Sequence, residues 1–317
     1  MIVTKTFSFP CFRLNQIARS GQCFRMLPLE TGGYSVISSG RYLEVREDLS
    51  TKPNKEAAVS FTCEEKDLDF WLHYFDLDTD YQIFLDSIRS EDSYLRTAGT
   101  VGYGIRILRQ DLWEMIITFI LSQQKTIPAI RQAVELLSLR YGTPIKSFES
   151  DESPEASLSV RQACPTVYAF PTPEQLSQAS LEDLQSLKLG YRAKYIVKIT
   201  QDVCTGAFDL PLLLSMDYSH SLDYVKQFYG IGEKVANCIC LFGLHHIDAF
   251  PVDTWIQKIL MAEYFPKHPR LYKKLPKSRL YEAIIADHFS CYQGYAGVMQ
   301  QYIFYYERER MGKAGQP

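Results

Sequence analysis

The sequence lacks a Cys-x-x-Cys pair, and its eight cysteines, at positions 11, 23, 63, 164, 204, 238, 240 and 291, are scattered along the chain. That spacing suggests neither a zinc site nor an iron–sulfur cluster, so no metal is expected and buried free thiols are the default. No apolar run reaches membrane-spanning length, which excludes a helical membrane protein. The opening MIVTKTFSFPCFRLNQ has no long apolar region of the signal-peptide kind, so an intracellular protein is expected. An excess of basic charge is also missing. With 34 Lys and Arg against 37 Asp and Glu the net charge is −3, which does not announce a polyanionic partner. Distribution matters more than the sum: Lys267 to Arg279 is locally basic and Asp151 to Glu155 acidic, although each by itself is an ordinary solvated run. What the chain does have is 46% hydrophobic residues and 13% aromatics over 317 positions, enough for one large core or two to three small ones.

Taken in order, residues 1 to about 80 mix short β-prone runs with turns. Tyr34 to Val45 predicts two strands around Ser39-Gly40, and Ala57 to Cys63 predicts another, giving a small antiparallel sheet. Helical patterning begins with Asp67 to Leu85. Leu112 to Leu121 is apolar nearly all round and predicts a central buried helix, leaving through the polar cluster Ser122-Gln123-Gln124-Lys125-Thr126. Phe148 to Pro165 is rich in Ser, Glu and Pro without periodicity, which predicts a surface insertion at 148–165. Thr172-Pro173 with Gln175, and Ser180 with Asp183, are helix-start signals. Gly190 ends a helix that Tyr191-Arg192 follows with another, and Arg279 to His288 and Ala296 to Arg310 predict terminal helices. The fold class is α+β, mostly α: a β domain with a first helix over 1–85, then a helical core over 86–317.

The stretch from Leu222 to Leu260, LDYVKQFYGIGEKVANCICLFGLHHIDAFPVDTWIQKIL, organises the rest. A helix over about Leu222 to Phe228 leads into Gly230-Ile231-Gly232, and a second starts near Glu233. Two glycines one residue apart permit positive φ and a tight hairpin. Free N–H groups at the second helix's N-terminus then suit a phosphate, although an ordinary two-helix turn fits the glycines equally well. Lys234 lies in the first turn, where a cation opposes the helix dipole. That is a poor place for a lysine chosen for stability and a suitable one for a nucleophilic amine. Asp253 predicts an N-cap for a helix beginning at Thr254, which also fixes a negative charge in front of that helix.

The phrase GIGEKVANCICLFGLHHIDAFPVDTW resembles the helix–hairpin–helix DNA glycosylase superfamily, in its lysine-bearing branch. Further phrases resemble the 8-oxoguanine DNA glycosylases: Ser20-Gly21-Gln22-Cys23-Phe24-Arg25, Tyr74-Phe-Asp-Leu-Asp, and Gly294 to Phe304. The resemblance runs from Ser20 to Phe304 and implies a helix–hairpin–helix at 222–243 with a catalytic segment at 230–260. It implies removal of 8-oxoguanine from duplex DNA through a Lys234 Schiff base, with Asp253 stabilising the sugar cation, followed by strand nicking. The Gly21 carbonyl would accept the N7–H that only the oxidised base carries. Gln300 would pair with the flipped base between Cys238 and Phe304. Gly230, Gly232, Arg192 and Trp255 would grip DNA, Tyr191 would wedge beside the extruded nucleotide, and Gln124 would meet the opposite base.

No cofactor is implied. The expected partner is double-stranded DNA with oxidised guanine, bound by a monomer in the cytoplasm, at a bacterial nucleoid rather than in a nucleus. Three positions depart from the pattern: Tyr229 replaces the hairpin's usual Pro, Trp255 a common His, and Ala129 the Arg that reads cytosine in eukaryotic members. Two other readings stay open on sequence: an alkyl-purine glycosylase of the same fold, which typically lacks the lysine, and a non-catalytic DNA-binding module.

Overall fold

A computed structural model of the chain describes residues 1–48, 56–148 and 166–314. The insertion expected at 148–165 lies outside the described residues apart from Phe148. The N-terminal part is a five-stranded antiparallel sheet in the order β1-β5-β4-β3-β2, built from Ile2–Phe9 (β1), Met26–Pro28 (β2), Tyr34–Ser38 (β3), Arg41–Glu47 (β4) and Ala57–Glu64 (β5). In β5 every second residue turns inward. Ala57, Val59, Phe61 and Cys63 are buried against Trp71, Tyr74, Phe75 and Leu108, the two-residue period that strand geometry dictates.

The two strands read on either side of Ser39-Gly40, and the one after Ala57, are β3, β4 and β5. β1 and β2 escaped notice. β1 is an edge strand whose outward rungs are hydroxyls, Thr4 on Thr62 at 3.0 Å and Thr6 on Ser60 at 2.8 Å. Such a half-polar edge has little to distinguish it from a loop.

Gln22 fastens this sheet domain to the helices. It is fully buried, donates from Nε2 to the Arg106 carbonyl at 2.8 Å, and accepts at Oε1 from the Leu108 N–H at 2.8 Å. Asp76 adds an ion pair with Arg109 at 2.8 Å and lies 3.4 Å from His245. Burial works against the Asp76 carboxylate, but His245 and Arg109 hold its pKa down to about 2.

Leu112–Leu121 is the central helix, and all ten of its residues are buried. Asp111 caps it, accepting from the Glu114 N–H at 2.8 Å. Around it pack Glu233–Phe242 (the lysine helix), Arg192–Cys204 and Ile127–Tyr141. The Phe119 and Phe242 rings stack at 5.3 Å and 18°, locking the central helix to the lysine helix. The long C-terminal helix, Ala296–Ala314, packs on Ser93–Val101 and returns to the sheet domain, setting Phe304 beside Gly21. The capping boxes read at Thr172 and Ser180 both form.

Candidate active site

The hairpin helices are Tyr218–Val225 and Glu233–Phe242. The first begins four residues before the sequence suggests, because Asp217 caps it and accepts from the His220 N–H at 2.9 Å. Only Gly230 uses positive φ, at +92°. A Cβ there would sit 2.4 Å from the Tyr195 ring. Gly232 is extended, φ −92° and ψ 178°, and serves as N-cap of the lysine helix. Its absent side chain gives space instead of left-handed backbone: nothing lies within 4 Å of a Cβ placed there. The N–H groups opening the lysine helix therefore face an unobstructed approach, as a backbone phosphate requires.

Lys234 is half-buried in the first turn of that helix. Its Nζ donates to Ser122 Oγ at 3.0 Å and lies 5.3 Å from the centre of the Phe119 ring. Ser122, which sequence reading left as an ordinary helix exit, thus holds the amine. Cys238 is buried one turn further along. Burial pushes its thiol pKa up, the Lys234 ammonium pulls it down, and the Asp253 carboxylate adds to the rise. The amine, thiol and carboxylate therefore share one electrostatic neighbourhood.

Asp253 is the expected N-cap. Oδ1 accepts from the N–H groups of Trp255 at 3.0 Å and Ile256 at 2.8 Å. Among the described residues Oδ2 has no hydrogen-bond partner, so half of the carboxylate anchors the helix and half is available to a ligand. Gln300 connects this loop to the C-terminal helix, donating from Nε2 to the Pro251 carbonyl at 3.1 Å. Its Oε1 accepts from Gln301 at 2.8 Å, so the amide is oriented by the protein.

One turn beyond Gln300, Phe304 closes against Gly21. Its Cε1 lies 3.2 Å from where a Gly21 Cβ would be, and Arg308 Nη1 lies equally near. Gly21 has φ +82° and is held between the fully buried Ser20 and Gln22. A side chain at this position would need both a strained backbone and displaced neighbours. Arg308, which the sequence did not single out, sits 5.4 Å from the Phe304 ring centre and donates to the Arg19 carbonyl at 2.8 Å.

The remaining residues lie at the rim. Gln124 is exposed with φ +51°, an unusual left-handed state for glutamine that lifts it out of the end of the central helix. Tyr191 is 42% exposed, and its ring meets Tyr195 edge-on at 5.6 Å. Tyr195 meets Tyr229 in the same way at 4.8 Å. Trp255 lies beside the Lys258 amine, 5.4 Å from its ring centre. Arg192 does not join the rim. It is 7% exposed and donates to the carbonyls of Gln123 (2.8 Å from Nε) and Leu189 (3.3 Å), while Gln123 Nε2 donates to the Gly230 carbonyl at 3.1 Å. Arg192 therefore braces the hairpin from behind.

A helix–hairpin–helix that carries a lysine amine in the electrostatic reach of a capping aspartate, with a C-terminal helix that sets Phe304 against Gly21, defines the scaffold of a base-excision DNA glycosylase. The profile of the 8-oxoguanine DNA glycosylase N-terminal domain matches residues 6–116, and that of the HhH-GPD superfamily base excision DNA repair proteins matches residues 117–279. The chain belongs to that superfamily, and within it to the 8-oxoguanine DNA glycosylase family.

A Clostridium acetobutylicum 8-oxoguanine glycosylase/lyase, solved with double-stranded DNA carrying cytosine opposite 8-oxoguanine, is 30% identical. The match covers 98% of each chain with a TM-score of 0.79. A Saccharomyces cerevisiae N-glycosylase/DNA lyase is 28% identical over 259 residues, 74% of this chain but 64% of the yeast protein's length. A 3-methyladenine DNA glycosylase from Archaeoglobus fulgidus, 17% identical with a TM-score of 0.69, shares the fold alone.

Proposed function

We propose that the protein is a bifunctional DNA glycosylase and AP lyase that excises 8-oxoguanine from duplex DNA. The observation that carries this reading is Lys234: an amine at a helix N-terminus, oriented by Ser122 at 3.0 Å and sharing its surroundings with Asp253 and Cys238. Lys234 Nζ attacks C1′ of the flipped nucleotide, and the proton that the nitrogen loses goes to the departing base. The glycosidic electrons leave with the base, and the free Oδ2 of Asp253 faces the positive charge that grows on the sugar. Ring opening gives a Schiff base, proton loss from C2′ expels the 3′ phosphate, and water releases the enzyme. No organic cofactor takes part in these steps.

The base is read between Gly21 and Phe304. Normal guanine presents a lone pair at N7, which the Gly21 carbonyl repels, whereas the N7–H of the oxidised base is accepted. Phe304 lies against Gly21, so the ring and the glycine together bound the space offered to the base. The backbone is gripped at the open N-terminus before Glu233, Tyr191 fills the vacated step, and Gln124 faces the opposite strand. Ala129 supplies no guanidinium to read a cytosine opposite the lesion. The enzyme acts as a monomer.

Borohydride trapping on a duplex carrying one 8-oxoguanine tests the reading. A covalent protein–DNA band is expected in wild type and not in Lys234→Gln, which should still bind lesion DNA. Free base without a band would retain the glycosylase and discard the amine mechanism. Neither product from folded protein would sink the substrate assignment, and a methylated-DNA panel would then decide for the alkyl-purine reading.

A further inference from the structure

The segment after the catalytic aspartate's helix ends in a group of side chains that the proposed chemistry does not use. Thr254–Ile259 continues through a π-helical turn, Leu260–Tyr264, and a short 3-10 turn, Phe265–Lys267, to His268. The Lys277–Phe289 helix brings Asp287 and His288 to the same point. His268 Nδ1 lies 2.6 Å from Asp287 Oδ2, and His288 Nε2 lies 3.7 Å from that same oxygen. The three ligand-type atoms all fall within 4.8 Å of one another. The two imidazoles are nearly parallel, with centres 5.5 Å apart and planes at 17°. Tyr272 closes the inner side. Its hydroxyl donates to Asp287 Oδ2 and lies 3.1 Å from His288 Nε2.

We propose that His268, Asp287 and His288 form a structural binding site for a divalent transition-metal ion of the zinc class. Zinc holds imidazole nitrogen and carboxylate oxygen at about 2.0–2.2 Å in tetrahedral array, which sets neighbouring ligand atoms about 3.3 Å apart. The observed separations straddle that value, and the ion takes the place of the hydrogen bond between His268 and Asp287. Two imidazoles with one carboxylate select zinc, nickel or copper over magnesium or calcium, which take oxygen. The fourth position goes to the Tyr272 hydroxyl or to water, since the His268 side chain is 54% exposed and that of His288 12%.

His288, stacked on His268 with Nε2 turned to the same centre, supplies the second imidazole of a two-histidine, one-carboxylate ligand set. The ion would clip the chain leaving the Asp253 helix onto the helix at 277–289.

Protein stripped with a chelator, then titrated with Co²⁺, tests the site. The expected result is an intense visible band of tetrahedral cobalt at one equivalent, displaced by Zn²⁺. His268→Ala and His288→Ala should each weaken the metal about 100-fold or more, and Tyr272→Phe should keep it. Thermal unfolding in chelator checks that the variants fold. Absence of the band, or binding unchanged in both histidine variants, overturns the proposal. A loss of stability confined to Tyr272→Phe, with no metal bound, would leave only the hydrogen-bond cluster.

Discussion

At the scale of single residues, Asp253 carries two roles on two oxygens, and substitution separates them. Oδ1 caps the Thr254 helix through two N–H groups, and in the proposed chemistry Oδ2 faces the charge that grows on the sugar. Asp253→Asn keeps a capping oxygen and removes the charge. Single-turnover base release should fall by about 10²–10³, the usual cost of removing one stabilising group from a developing charge. Its melting temperature should stay near wild type. Asp253→Ala loses the cap as well, so about 1 kcal/mol of stability should go with the activity. Equal melting temperatures for the two variants would show that the cap does not hold the helix. Gly21→Ala makes the complementary point. At φ +82° its methyl meets Phe304 and Arg308 at 3.2 Å. Release of 8-oxoguanine should drop at least tenfold while an unmodified duplex binds as before, which parallel assays on the two duplexes would check.

At the scale of elements, a row of three tyrosines joins Tyr191, proposed as the wedge, to the hairpin proposed to hold a phosphate. Tyr191 and Tyr229 are both exposed, and each meets the ring of Tyr195 between them. Gly230 lies so close to that ring that only hydrogen fits. Tyr195→Leu should therefore loosen hairpin and wedge together. The preference for lesion over undamaged duplex should fall about tenfold, in line with the 1–3 kcal/mol of one base–aromatic stack. Anisotropy titrations measure it, and an unchanged preference would mean that the two elements act independently.

This coupling was invisible beforehand, because Tyr191 and Tyr195 are one helical turn apart but nothing in the spacing brings the distant Tyr229 to the same ring. Local signals fared better. The central helix, the start of the lysine helix, the Asp253 cap and both capping boxes were legible, since each is decided by residues within a turn of one another. Arg192 shows the converse. A cation beside an exposed tyrosine reads as a DNA contact, yet tertiary packing turns its guanidinium to Gln123 and Leu189. Nor could spacing reveal His268 with Asp287, 19 residues apart and on different elements.

At the scale of the whole molecule, a protein of net charge −3 that grips a polyanion must do so through local groups. Its DNA affinity should therefore decline with salt. The acidic balance also includes a carboxyl that is not charged in the fold. Glu114 is buried in the first turn of the central helix, about 12 Å of helix from Ser122. It lines a cavity of about 450 Å³ with Trp113, Phe170 and Pro171. Among the described residues its Oε2 and the Nη1 of Arg25 have no hydrogen-bond partner.

Burial pushes the Glu114 pKa up to about 8; Arg25 opposes the rise, and Asp111 and Glu135 add to it. The fold therefore binds a proton that the unfolded chain gives up near its ordinary value of 4.5. The contribution to stability is fully present below that value, declines as pH rises, and is lost once pH passes about 8. Glu114→Gln holds the shape and removes the proton. Thermal unfolding from pH 4.5 to 8 should show the variant gaining on wild type by several degrees as pH rises, with the two nearly equal at the acid end. Parallel melting curves across that range would mean that the carboxyl is paired or hydrated in solution and ionises as it does when unfolded.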